Sequence, residues 1–131
     1  MHRFILTCSI LSLSLLTGPL SAEEHKHEEG EVTLDGEVID LQCYMTNPKE
    51  STGKTHAKCA ASCIKRGKPA GFLSEGKVYL LLTKGKGSLA RMVAEHAGKD
   101  VEIHGKLIDL GGMKAIQLES IKAEHDHEHK D

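Results

Sequence analysis

The sequence predicts a small, mostly β barrel: five strands and two helices in the order β-α-β-β-α-β-β. Three observations predict it. Short runs with period-2 apolar alternation recur along the chain, separated by glycine-bearing turns. Two stretches between those runs switch to helical spacing, each opened by Ser or Thr and closed by Gly. The chain has 131 residues, with 2 Phe, 2 Tyr and no Trp, so it allows one domain with an aliphatic core.

Residues 1–22, "MHRFILTCSILSLSLLTGPLSA", carry an early Arg3, an apolar run and then small residues up to Ala22. That pattern predicts a secretory signal peptide cut after Ala22, because the apolar run is too short to cross a bilayer. Cys8 leaves with it. Residues 23–31 and 124–131 are charged and histidine-bearing with almost nothing to bury, and are expected to be disordered arms. The folded body is expected over 32–123.

Within the body, "VTLDGEVIDLQCY" alternates as a first strand, with Gly36 as a bend or bulge. "STGKTHAKCAASCIKRGKP" reads as a helix. Ser51 or Thr55 can cap it, Lys65 and Arg66 suit its C-terminus, and Gly67 and Pro69 stop it. "AGFLS", the turn "EG" and "KVYLLLT" form a hairpin. Ser88 opens a second helix with an apolar stripe at Leu89, Met92, Val93, His96 and Ala97, and Gly98 ends it. "VEIHGKLIDL", "GG" and "MKAIQLESIKA" form the closing hairpin. Five strands with a helix between the third and fourth resemble an OB-type barrel, here with an extra cysteine-bearing helix between strands one and two. An SH3-like barrel or a small α+β sandwich has a compatible order.

The formal charge of −2, from 17 basic and 19 acidic residues, excludes the basic surface that nucleic acid requires. Few aromatic residues means no platform for stacking bases or sugars. After signal removal no polybasic run remains to hold a membrane.

The chemistry concentrates in "CYMTNPKESTGKTHAKCAASCIKRG". At about 100° per residue, His56, Cys59 and Cys63 fall near 0°, about 300° and about 340° around the helix axis, on one face. Cys43 is expected at the end of the first strand, with Met45 two residues on. Cys43, His56, Cys59 and Cys63 make a Cys3His set allowed for tetrahedral zinc, and with Met45 the sulfur-rich group suits Cu(I). The alternatives are a disulfide from Cys43 to Cys59 or Cys63 with one spare thiol, or thiol–disulfide exchange among the three. Such a bridge closes a loop of about 15–20 residues, worth on the order of 3 kcal/mol. His25 and His27 in one arm, and His125, His127 and His129 in the other, alternate with acids and can collect a metal loosely. His96 reads as a core-edge residue, and the face taken by His104 depends on strand register.

"HAKCAASC" resembles the C-x3-C ligand pair of copper-handling proteins of the Sco type. The resemblance implies that Cys59 and Cys63 bind copper when reduced, although His56 precedes the pair and no thioredoxin-like frame surrounds it. "GEVIDLQCYM", "HAKCAASCIKRGKPAGFL" and "KVYLLL" together look like a group of small exported bacterial OB-fold-like proteins, a likeness that implies no catalytic residues. No C-x-x-C-H, C-x-x-C, G-x-S-x-G or phosphate loop is present. The sequence therefore points to a binding protein rather than an enzyme. It is expected to be periplasmic or secreted, with copper or zinc as its ion and, in a delivery role, a protein partner.

Overall fold

The alternating runs close on one another into a five-stranded OB-like barrel. A computed structural model describes residues 29–123, in which β1 (Glu29–Asp40), β2 (Ala70–Ser74), β3 (Lys77–Thr83), β4 (Asp100–Leu110) and β5 (Met113–Ala123) follow the closed order β1-β2-β3-β5-β4. The β3–β5 pairing is parallel and the other four are antiparallel. No helix among the described residues is long and apolar enough to cross a membrane.

β1 closes the barrel because it serves two neighbours in turn. Its residues 29–37 pair with β4 and its residues 37–40 with β2. The expected bend at Gly36 sits at this changeover. A Cβ there would run into the Leu73 carbonyl oxygen, so the close approach of the strands requires glycine. Pairing begins at Glu29, where Lys106 Nζ donates to Glu29 at 2.6 Å, so three residues expected in the charged arm belong to the barrel.

The core is aliphatic, as the composition predicts. Val38, Leu81, Val101, Ile103, Ile116 and Leu118 line the barrel together with Phe72, all at most 1% exposed. Ala60 and Ile64 close one part of it from the cysteine-bearing helix.

The described residues form three short α-helices rather than two: α1 (Leu41–Thr46), α2 (Gly53–Lys65) and α3 (Leu89–Val93). The first was expected as strand. Asp40 ends the strand there: its Oδ1 accepts the Gln42 N–H at 3.0 Å, an N-cap that starts a helical turn. The chain then winds through Cys43, whose carbonyl accepts the Asn47 N–H at 2.8 Å.

The second expected helix is split. After α3 the chain tightens into a 3-10 turn, Ala94–His96, with Val93 at φ −118°. Ser88 occupies the N-cap position without a side-chain bond. The tightening lets Ala97 bridge Val38 and lets the Gly98 N–H donate to the Val38 carbonyl at 2.9 Å. Gly98 has φ +70°, and a Cβ on it would lie 2.7 Å from both Ala57 and the Gly53 carbonyl oxygen. Its bareness seats the N-terminal half of α2 against the barrel.

Candidate metal centre

Helix α2 presents its residues in the register expected from its sequence. Ala60 and Ile64 point inward and are 1% and 2% exposed, while His56, Cys59 and Cys63 form the adjoining stripe. Neither Ser51 nor Thr55 caps the helix. Thr52 is the N-cap residue and makes no side-chain bond; the Gly53 N–H instead donates to Glu37 Oε1 of β1 at 2.6 Å. Burial raises the Glu37 pKa, as does nearby Asp100, while the Gly53 N–H and His56 pull it down.

Cys43 arrives from α1, not from a strand end. Its sulfur and those of Cys59 and Cys63 all lie within 4.8 Å of one another, and all three cysteines are free thiols. There is no disulfide among the described residues. A second triad overlaps the first: the Asp40 carboxylate, the Cys43 sulfur and a ring nitrogen of His56 also lie within 4.8 Å of one another. The four residues expected as ligands are therefore close enough to hold a metal, with Cys43 shared between the two groups.

Asp40 was not foreseen as part of the site. It is fully buried, at 0% exposure, and Oδ2 is buried with no hydrogen bond of ordinary geometry. The Cys43 and Cys63 thiols face this carboxylate as weak donors. Burial alone raises the Asp40 pKa, but the Cys43 thiol, the Gln42 N–H, the Cys63 thiol and the Cys43 N–H outweigh it and hold it below the ordinary value. The Cys43 thiol is pushed in the opposite direction, to about 12. The bond to Asp40 contributes most, followed by burial, the Asp40 charge and the two neighbouring thiols. His56 Nε2 is a second buried atom with no partner. At the far end of α2, Arg66 Nη2 donates to Cys63 Sγ at 3.7 Å, placing a positive charge beside the sulfurs.

Met45 does not join them. It is 75% exposed, and two residues along a helix from Cys43 turns it about 200° away. The expectation held only for a strand, in which i and i+2 share a face. His25, His27, His125, His127 and His129 lie outside the described residues. His96 sits at the core edge as expected, with its ring 17% exposed. His104 faces outward between two acids, Nε2 at 3.5 Å from Glu31 and Nδ1 at 3.7 Å from Glu119.

Of the residues that sequence reasoning missed, Asp40 had a readable signal. It is an acid placed among apolar residues, three before a cysteine and two before the N–H it caps. Arg66 was read only as a helix-end charge. Comparison with protein families, with characterised proteins and with solved structures finds no match for the chain.

Proposed function

We propose that the protein binds a transition metal ion through the thiolates of Cys43, Cys59 and Cys63, with His56 and Asp40 beside them. In this reading it is an exported protein of the periplasm or cell exterior that sequesters the ion or hands it to a partner protein. The observation that carries the reading is the meeting of three free sulfurs from two helices within 4.8 Å, next to two buried polar atoms, Asp40 Oδ2 and His56 Nε2, with no hydrogen bond of ordinary geometry.

Cu(I) is preferred over zinc because one of the two groups consists of three soft sulfurs. The preference rests on the sulfur count and no longer on Met45. Cys59 is exposed, which supports transfer to and from the site by ligand exchange. In an oxidising compartment a bound ion would also protect the thiols from oxidation. The histidine arms serve as a loose collecting device for the same ion.

The same closeness of sulfurs favours a second reading, in which two of the thiols oxidise to a disulfide and the third stays free. Metal analysis of protein purified from the periplasm, together with thiol counting by alkylation and mass spectrometry, separates the two. Stoichiometric metal that disappears in a Cys59→Ser/Cys63→Ser variant supports the metal reading. Substoichiometric metal that the double variant leaves unchanged would sink it, and one disulfide with one free thiol would replace it.

A further inference from the structure

The ligand atoms form two triads that share one member. Cys43, Cys59 and Cys63 make one, Asp40, Cys43 and His56 the other. We propose that the centre holds two ions bridged by the Cys43 thiolate: Cu(I) on the three sulfurs, and a zinc-class divalent ion on Asp40, Cys43 and His56. The proposal rests on the single-metal reading above and adds a second site to it.

The second triad is short of partners. Asp40 Oδ2 is buried with no hydrogen bond of ordinary geometry, only the weak thiol donors near its carboxylate, and His56 Nε2 is buried without a partner. Buried polar atoms are almost always paired, and a carboxylate and a neutral imidazole each have a lone pair to offer a cation. Asp40 is held rigidly, because its other oxygen caps α1. His56 is fixed by α2, whose first turn is tied to Glu37.

Charge favours the same arrangement. An ion held by the three sulfurs binds them as thiolates, and the Cys43 sulfur then lies within 4.8 Å of the buried Asp40 carboxylate. Three thiolates and one carboxylate carry four negative charges. One Cu(I) and the Arg66 guanidinium on Cys63 offset two of them. A divalent ion between Asp40 and Cys43 offsets the other two, where the repulsion is strongest.

Ligand chemistry sorts the ions. Three sulfurs are a soft set and favour Cu(I). One oxygen, one nitrogen and one sulfur are a borderline set of the kind zinc accepts, with a fourth position for water. Ligand atoms around a tetrahedral zinc sit roughly 3.3–3.8 Å apart for Zn–ligand bonds of about 2.0–2.3 Å. The 4.8 Å limit that both triads satisfy therefore asks for only a small inward movement.

The test uses the full-length mature chain, reduced and kept anaerobic, with His25, His27, His125, His127 and His129 replaced by Ala so that the arms bind nothing. It is loaded with Cu(I), then with Zn(II), desalted, and both metals are counted per chain. The proposal expects one copper and one zinc. His56→Ala and Asp40→Asn should each lose the zinc and keep the copper; Asn can still cap α1, and circular dichroism checks the fold. Co(II) in place of zinc should show a thiolate-to-cobalt charge-transfer band. One copper without zinc would overturn the second site while leaving the single-metal reading intact. Copper displaced mole for mole by zinc, or zinc retained in both variants, would also overturn it. A chain that binds neither metal would overturn both.

Discussion

The Cys43 sulfur lies within 4.8 Å of the buried carboxylate of Asp40, three residues earlier in the chain, and the two shift each other's pKa in opposite directions. Burial raises the Asp40 pKa, but the thiol and backbone donors around it outweigh that and lower it, while the Asp40 carboxylate beside the Cys43 thiol pushes that thiol up to about 12. A single acid thus caps the helix that carries Cys43, orients its sulfur and sets its reactivity.

Reactivity is the first consequence. The thiolate is the nucleophile in alkylation, so Cys43 should react much more slowly than exposed Cys59 at about pH 8. Replacing Asp40 by Asn removes the charge that raises the Cys43 pKa, and should speed Cys43 alkylation by roughly tenfold or more. Timed iodoacetamide labelling of the metal-free protein, read by peptide mass spectrometry, checks this. Equal rates at Cys43 and Cys59 in the wild type would contradict it.

The same pair predicts how stability depends on pH. A thiol whose folded pKa is raised from 9.0 to about 12 stabilises the fold fully below 9.0 and loses that contribution as pH rises through about 12. Asp40, with its pKa lowered, works the other way: its contribution is present above the unfolded value of 3.8 and is lost as pH falls through the folded value. The urea midpoint of reduced, metal-free protein should therefore drop more steeply above about pH 9 in the wild type than in Cys43→Ala. Parallel curves would contradict the pairing.

Met45 separates this geometry from the one its sequence position suggests. Met45→Leu should leave Cu(I) affinity within about twofold, whereas Cys59→Ser should lower it by on the order of a hundredfold. Competition with a colorimetric Cu(I) chelator measures both. A large loss with Met45→Leu would place the thioether at the ion.

The path of the cysteine-bearing helix was partly legible in its sequence. His56, Cys59 and Cys63 are brought to one face by helical period alone, and the order of strands and helices follows from alternation and turn residues. The start of α1 was not legible. Ile39, Leu41 and Cys43 alternate as a strand would, and a capping bond from Asp40 to Gln42 overrides that pattern. The one change from strand to helix turns Met45 away from Cys43 and makes Asp40 part of the site. The second helix misled for a similar reason. Its stripe is correct, but the chain must tighten at Ala94–His96 to bring Gly98 onto Val38, a tertiary requirement with no local signal.

The seat of α2 gives a stability prediction. Gly98→Ala puts a methyl 2.7 Å from Ala57 at a backbone conformation that alanine resists, and should destabilise the metal-free protein by about 2 kcal/mol or more. Glu37→Ala leaves the Gly53 N–H without its acceptor and should cost about 1 kcal/mol. Urea denaturation monitored by circular dichroism reads both. A Gly98→Ala protein as stable as the wild type would show that α2 does not rest on that contact.

X-ray absorption at the copper edge of the Cu(I)-loaded protein identifies the atoms bound to the ion. Sulfur neighbours only are expected, three per copper, with fewer in the Cys59→Ser and Cys63→Ser variants. Copper surrounded by nitrogen and oxygen alone, or an edge unchanged in both variants, would contradict a centre built on Cys43, Cys59 and Cys63.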